Sequence, residues 1–284
     1  MEKDSNDTTS NGPTSVDESV GSETHDNDGT SAAAGESKSR RKIIAIVATV
    51  IVVVAIGGGY FWFYSDANHK VAEPAPVSPQ IRFAAMQERL EKGKETTLHV
   101  EDFEINDDLL LQLKGLAELE TVIVDQGKIT DDGIANLPSF PKLQQVRLRF
   151  SPITDAGMAT LAQCKSLWYI NLPHAKCTAK GILMLKSIPE LRQLRIASPN
   201  LGNEVTRDIA EIKSLRGVHL IDIAVNNDGL KALASLPYLE SLYLDNSLVT
   251  ESGWRWLYTN YPQIHVHVNQ EHKDYDPKSH KHHD

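Results

Sequence analysis

Three arginines stand at positions whose spacing would bring their side chains together. Arg147, Arg149 and Arg195 take polar places in short stretches of alternating apolar and polar residues. Alternate side chains of a strand point to opposite faces, so all three would lie on one face of a sheet. Guanidinium groups form paired, charge-assisted hydrogen bonds with carboxylates and phosphates. Like charges on neighbouring strands repel. The pattern therefore favours an anion or acidic-peptide site, with a solvated sheet surface as the alternative.

Aromatic and histidine side chains are predicted on the same face. The outward places of the successive stretches also hold Tyr169, His219 and Tyr243. Tyr and Arg are the side chains that most often dominate binding at protein interfaces. The predicted ligand-binding residues are therefore Arg147, Arg149, Tyr169, Arg195, His219 and Tyr243.

The sequence contains none of the common catalytic motifs. G-x-S-x-G, H-E-x-x-H, P-loop and C-x-x-C patterns do not occur. Imidazoles such as those of His272, His280, His282 and His283 can bind Zn, Ni or Cu, but loose sites of this kind lack the surrounding groups that fix a functional metal. We therefore predict a protein that is not an enzyme, without catalytic residues, cofactor or metal site, and interpret these histidines as a solvated tail.

The outward residues belong to a repeat of 24 residues. The segments ITDDGIANL, ITDAGMATL and VNNDGLKAL begin at Ile129, Ile153 and Val225, which are separated by multiples of 24. Each unit also has a stretch such as Leu143 to Leu148, whose alternation predicts a strand. In most segments of the ITDDGIANL type, the second residue is Thr or Asn, as is typical of a helix N-cap. A Gly follows it, where a side chain would crowd the neighbouring unit. Stacked units of this kind form a solenoid with one continuous core.

These motifs resemble the leucine-rich-repeat family, most closely the ribonuclease-inhibitor-like horseshoes and the 24-residue ITDxGLxxL-type repeats of membrane-anchored bacterial proteins. The resemblance covers roughly residues 97 to 269. It implies an α/β solenoid with a curved parallel sheet on the concave face, where such proteins usually bind, and short helices on the convex face. The sequence departs from the family where a ladder Asn is common, as at Gly127 and Ser151. The unit at Leu201 lacks both the capping Thr and the Gly, so we expect a local irregularity there.

Segments of different composition flank the repeats. Residues 1–37 contain nine acidic residues and one Lys, which predicts a disordered acidic tail and argues against a nucleic-acid partner. Residues 38–64 comprise a basic flank and 22 uncharged residues from Ile43 to Tyr64, enough for one transmembrane helix. The further predicted segments are a juxtamembrane linker at 65–80, an N-terminal capping helix at 81–96, the repeat domain at 97–269 and a His-rich disordered tail at 270–284.

The charges beside the apolar stretch predict its orientation. Lys38, Arg40, Arg41 and Lys42 lie immediately before it, so the positive-inside rule places the N-terminus in the cytoplasm and the repeats outside. The alternative is a cleaved signal peptide, but no small-residue cleavage site follows. The chain has only Cys164 and Cys177, both in buried columns, and lacks the cysteine-clustered caps of animal and plant extracytoplasmic relatives. This favours a bacterial cell envelope.

These observations together predict a single-pass membrane-anchored leucine-rich-repeat protein. Its predicted role is that of a non-catalytic receptor or scaffold for a protein or peptide ligand, and the arginines favour an acidic one. The alternative is a structural cell-envelope protein that binds glycan or cell-wall polymer. Aromatic platforms with neutral polar neighbours would favour that alternative.

Overall fold

The computed structural model describes residues 77–278. Within these residues no helix combines the length and the apolar character needed to cross a membrane. The predicted fold class, a solenoid preceded by a transmembrane helix, is therefore corrected to the solenoid alone. The stretch from Ile43 to Tyr64 that motivated the helix lies outside the described residues, as does the acidic tail. The predicted domain boundaries and localisation stay predictions.

Strands recur once in each repeat unit and form one large parallel sheet. Over the described range, that sheet has eight strands in the order β1-β3-β5-β6-β7-β8-β9-β10, and β2 and β4 form a separate pair. The bounds are β1 Thr97–Val100, β2 Ile105–Asn106, β3 Thr121–Val124, β4 Gly127–Lys128, β5 Gln145–Leu148, β6 Tyr169–Leu172, β7 Gln193–Ile196, β8 Gly217–Ile221, β9 Ser241–Asp245 and β10 His265–Val268.

Short helices follow most strands. They are α1 Pro79–Glu91, α2 Asp107–Leu110, α3 Asp155–Leu161, α4 Ala179–Met184, α5 Val205–Ala210, α6 Asn227–Ala234 and α7 Glu251–Asn260, with 3₁₀ turns at Leu137–Ser139 and Leu185–Ser187. The unit that begins at Ile129 has only a 3₁₀ turn. Pro138, which has no N–H to donate to a helix, lies within that turn.

The strand register follows the 24-residue period. Val122 pairs with Val146, Ile170 with Leu194, and Val218 with Leu242. Identical spacing in every unit places like residues side by side, so the inward aliphatics form unbroken buried columns. Leu148, Leu172 and the other inward residues belong to one continuous core, as predicted.

Both cysteines are buried and free. Burial raises the pKa of the Cys164 thiol to about 12, against a small opposing effect of Lys165. Burial likewise raises the pKa of Cys177 to about 12, and the charge of Asp155 adds to the effect. Thiols held in the protonated form behave as small apolar side chains, so both contribute to packing.

A ladder of side chains joins the starts of successive units. Asp131 accepts hydrogen bonds from the backbone N–H (2.9 Å) and the hydroxyl of Thr154 in the next unit. Asp155 does the same for Thr178, at 2.7 Å to each donor. Thr154 and Thr178 in turn cap their own helices, as predicted. The ladder thus ties one unit to the next.

The predicted irregularity in the unit at Leu201 is confirmed. Helix α5 begins at Val205, two residues later in the repeat than α3, α4, α6 and α7, and its N-cap Glu204 makes no side-chain capping bond. In this unit the ladder is broken, because the preceding helix begins with Ala179 where other units have Asp or Asn. The N–H of Gly202 bonds instead to the carboxylate of Glu204, at 3.0 Å.

Candidate ligand-binding face

The outward side chains of the sheet form a face that we call the outer face. Its middle row is His99, Ile123, Arg147, Asn171, Arg195, His219, Tyr243 and His267, and the pairing of the strands places these residues side by side. This is the order predicted from the sequence. Neighbours in such a row are separated by about 4.8 Å.

Arg147, Arg149 and Arg195 line one cavity of about 380 Å³ on the outer face. The cavity lies at the carboxyl ends of β5 to β8, because Arg149, Pro173 and Asp222 come directly after strands. The other lining residues are Asn171, His174 and Ile221. We call this the arginine cavity. Three residues predicted to share a surface thus share one concavity, although their role in binding stays a prediction.

Among residues 77–278, Arg147 alone of the three has a carboxylate partner. Its guanidinium forms an ion pair with Asp125, which is only 7% exposed and which also lies 3.3 Å from His99 Nε2. Burial raises the pKa of Asp125, but the hydrogen bonds from Arg147 and His99 and the charges of Arg147 and Arg149 together hold it below its ordinary value. Asp125 therefore reduces the repulsion that we expected among the three arginines.

Arg149 and Arg195 have no ion pair within residues 77–278. The guanidinium of Arg149 instead lies 5.6 Å from the ring centroid of Phe150. The Nε atom of Arg195 is buried and has no hydrogen-bond partner among the described residues. The Nε atom of Arg147 is in the same state, and a buried donor without an acceptor is costly.

His174 stands at the rim of the cavity as a neutral imidazole. Burial lowers the pKa of His174, and the charges of Arg149 and Arg195 lower it further. Its Nδ1 accepts a hydrogen bond from the N–H of Phe150 at 3.1 Å, and the two rings stack with centroids 4.6 Å apart. With Nδ1 acting as acceptor, the ring proton lies on Nε2, which adds one more donor to the rim.

His219 lies beside the cavity in the next strand. Its Nε2 is 2.8 Å from a carboxylate oxygen of Asp245. Burial lowers the pKa of His219, and the charges of Arg195 and His267 lower it further. Asp245 raises the pKa, but the net shift is downward. The side chain is therefore a neutral donor to Asp245.

The two predicted tyrosines do not line the arginine cavity. The hydroxyl of Tyr169 accepts a hydrogen bond from Asn171 Nδ2 at 2.9 Å. The ring of Tyr243 stacks on His267 with centroids 4.6 Å apart and an interplanar angle of 13°. Of the six predicted residues, the three arginines thus line one cavity, His219 lies next to it, and the tyrosines are used in contacts with their neighbours.

Sequence reasoning missed His174 and Asp222, which complete the rim. Both stand one residue after the outward rows, in a column that also holds Phe150 and Asn246. Phe150, Asp222 and Asn246 have positive φ angles of 56°, 56° and 55°, so at these three residues the chain turns tightly after the strand. Extending the repeat alignment by one column would have found them.

A larger cavity, of about 470 Å³, lies at the amino ends of the strands and is lined by Trp168, Arg192 and Arg216. Its arginines are already paired, Arg192 with Glu190 at 2.9 Å and Arg216 with Glu240 at 2.6 Å. Its capacity to recruit an anion is correspondingly smaller. The arginine cavity is the better candidate because two of its cations have no counter-ion among the described residues.

No protein-family model matches this chain, and neither does any curated protein sequence. Similar solved structures include an internalin from Listeria monocytogenes, with 18% identity over 66% of this chain and 51% of that one, and a TM-score of 0.49. A repeat protein of Leptospira interrogans is 15% identical over 64% of this chain and 50% of its own, with a TM-score of 0.43. A plant peptide hormone receptor, RGFR1 in complex with RGF2, is 13% identical over 64% of this chain and 29% of its own, with a TM-score of 0.41. This chain spans about half the length of the first two structures and less than a third of the third.

Proposed function

The chain folds as a leucine-rich-repeat solenoid, and on that premise we propose that it is a binding scaffold whose arginine cavity receives an acidic group of a peptide or protein partner. That group is an Asp or Glu side chain or a chain-terminal carboxylate. A planar carboxylate matches the forked donors of a guanidinium, which can hold both oxygens at once.

One observation carries the proposal. Arg149 and Arg195 line the same cavity as Arg147, and neither has a carboxylate partner among the described residues. The chain has a formal net charge of −9, of which −8 falls in residues 1–37, so the rest of the chain is close to balanced and the excess of cations is local to this cavity. Asp222 is the one carboxylate in the lining, and it is hydrogen-bonded to Asn246 Nδ2 at 2.6 Å. With Arg147 paired to Asp125, the lining still holds two cations, Arg149 and Arg195, against the single carboxylate of Asp222, so its charge balance favours an anion from outside.

The dimensions of the face favour an extended peptide over a folded protein surface. Eight strands about 4.8 Å apart, with about 10 Å of exposed width, give a face of roughly 400 Å². A standard interface between folded proteins uses about 800 Å² from each partner. A cavity of about 380 Å³ lies at the small end of the range for binding sites and suits one or two side chains.

The glycan alternative is less well supported by the outer face. Sugar-binding platforms need an aromatic ring with an open face. Tyr243 already stacks on His267, and its ring centroid lies 5.3 Å from that of His219. No aromatic ring lines the arginine cavity apart from the imidazole of His174. Charged recognition of a peptide is therefore the function that we propose.

The test selects ligands without assuming their identity. The full chain and its Arg149→Gln/Arg195→Gln variant are each used to select binders from a library of random peptides. We expect the wild type to enrich peptides rich in Asp and Glu, and one such peptide to bind the variant at least tenfold more weakly. The affinity for the wild type should also fall as salt is raised, because surface ion pairs are screened.

The matched control is Arg192→Gln/Arg216→Gln, which removes two arginines from the other edge of the sheet. This variant should keep the wild-type affinity. Selection of peptides without acidic residues, or equal affinity for the wild type and Arg149→Gln/Arg195→Gln, would contradict the proposal. Binding of soluble neutral oligosaccharides in place of peptides would support the glycan alternative.

A further inference from the structure

Three histidines come together at the last strand, β10, which is two strands beyond the arginine cavity. His265 and His267 are two residues apart on β10, so their side chains point to the same face. The chain then reverses through Asn269 and Gln270, whose φ angles are 53° and 66°, and Val268 bridges antiparallel to Glu271. This reversal returns His272 to the same face.

The imidazoles lie close enough to share one ion. One ring nitrogen from each of the three histidines lies within 4.8 Å of the other two. His265 Nε2 and His267 Nε2 are 2.8 Å apart, and the ring centroids of His267 and His272 are 4.2 Å apart. Nitrogens bound to one tetrahedral ion at about 2.1 Å are separated by roughly 3.4 Å. Small ring rotations would bring all three to that spacing.

A buried carboxylate holds His272 in the orientation of a metal ligand. Asp276 is 4% exposed, and its Oδ2 lies 2.7 Å from Nδ1 of His272. The other oxygen of Asp276 accepts the N–H of Lys278 at 2.8 Å, which fixes the carboxylate itself. A proton held on Nδ1 places the basic lone pair of the ring on Nε2. Carboxylate–histidine pairs of this kind orient the ligands of protein-bound zinc.

Ring contacts support His267 and the segment that carries His272. Tyr243 stacks on His267, and the ring of Tyr275 meets that of Tyr258 edge-on at 5.5 Å. Tyr275 is packed against the hydrophobic core, so the segment that carries His272 and Asp276 is held against the solenoid. The cluster thus has the supporting groups that a loose histidine tail would lack.

We propose that His265, His267 and His272 form a site for a divalent late first-row transition metal, for which Zn²⁺ is the natural probe. Three imidazole ligands suit Zn²⁺, Cu²⁺ and Ni²⁺ and leave a fourth position for water or another ligand. The bound ion would join β10 to the segment after it. The site is independent of the peptide-binding role proposed above.

The test must separate this cluster from the histidines at the C-terminus. The full chain carrying His280→Gln, His282→Gln and His283→Gln keeps the cluster and loses the tail, and serves as the reference protein. After removal of metal with a chelator, titration calorimetry with Zn²⁺ should give one site per chain of micromolar affinity or tighter. Co²⁺ added in its place should give the intense visible absorption of a tetrahedral site.

Two further changes in the reference protein locate the site. His265→Gln/His267→Gln should abolish binding, while urea unfolding without metal stays close to that of the reference, because both side chains are partly exposed. Asp276→Asn should weaken Zn²⁺ binding by about 10- to 100-fold if it remains folded, as expected for the loss of a supporting carboxylate. A reference protein that does not bind Zn²⁺, or a His265→Gln/His267→Gln variant that binds as tightly as the reference, would overturn the proposal.

Discussion

The carboxylate of Asp131 fills the space in front of Gly157 in the next unit, where a Cβ atom would have to stand. The same relation holds between Asp155 and Gly181 and between Asn227 and Gly253. The glycine of each repeat is therefore required by the ladder residue of the unit before it. Where the ladder residue is Ala179, the glycine position holds the buried Val205. The two exceptions stand in adjacent units and compensate for each other.

We expect Gly157→Ala to destabilise the protein by about 1 to 3 kcal/mol, because the new methyl group overlaps Asp131. In a protein that already carries Asp131→Ala, the same change should cost clearly less. Urea unfolding of the wild type, both single variants and the double variant measures this coupling. Additive effects would mean that Asp131 does not set the requirement for glycine.

Ala179 and Val205 offer the reverse experiment. Ala179→Asp alone should destabilise the fold because its carboxylate would meet Val205, and Val205→Gly alone should do so by leaving a cavity. The double variant should be more stable than the sum of the two losses predicts. Thermal unfolding of the four proteins checks this, and a double variant that loses the full sum would contradict it.

Leu148 tests the strand register. Because it is fully buried in the core, Leu148→Ala should cost about 2 to 5 kcal/mol. The matched change Arg149→Ala, one residue further along and exposed, should change stability by less than about 0.5 kcal/mol. Urea denaturation gives both values, and similar losses from the two changes would place the register one residue off.

The Arg147–Asp125 pair should make stability depend on pH. The pKa of Asp125 is below its ordinary value in the folded state, so its contribution to stability is complete above the ordinary value of 3.8 and is lost as pH falls through the folded pKa. Arg147→Gln leaves a buried carboxylate without its cation and should cost about 1 to 3 kcal/mol near pH 7.

The difference between the wild type and Arg147→Gln should therefore shrink as pH falls below 3.8. Urea midpoints measured from pH 7 downward, as far as both proteins remain folded, follow this difference. Arg207→Gln is the control, since Arg207 is exposed and its loss should produce no such trend. A constant difference between wild type and Arg147→Gln across the range would show that Asp125 is not involved.

The sequence predicts the sheet well and the details of the site less well, for physical reasons. A strict period fixes which residues are neighbours, so the column that holds Arg147, Asn171 and Arg195 could be derived before any coordinates. The partner of Arg147 could not be. Asp125 directly follows the adjacent strand β3 and lies in a different column, so the repeat pattern alone does not pair it with the arginine side chain.

The histidine cluster also could not be predicted from the repeat pattern. His265 and His267 occupy outward positions of the last strand, which the 24-residue period reaches, but His272 lies beyond the repeats. Its return depends on two consecutive positive φ angles, at Asn269 and Gln270, which no periodic pattern encodes. Periodicity therefore predicts contacts within the solenoid, whereas contacts made where it ends require the structure.

The reversal after β10 also bears on self-association of the chain through the edge of the sheet. In the sheet β10 pairs with β9, and the N–H of Val268 is used in a 2.8 Å bond to the carbonyl of Glu271. A strand edge with free backbone groups is a template for another chain, and a stack of identical units has no intrinsic length at which growth must stop. A chain shortened at Asn269 should thus tend to associate through the edge of β10, which light scattering would detect. The nine residues that follow, as far as Lys278, would then serve as a cap on that edge.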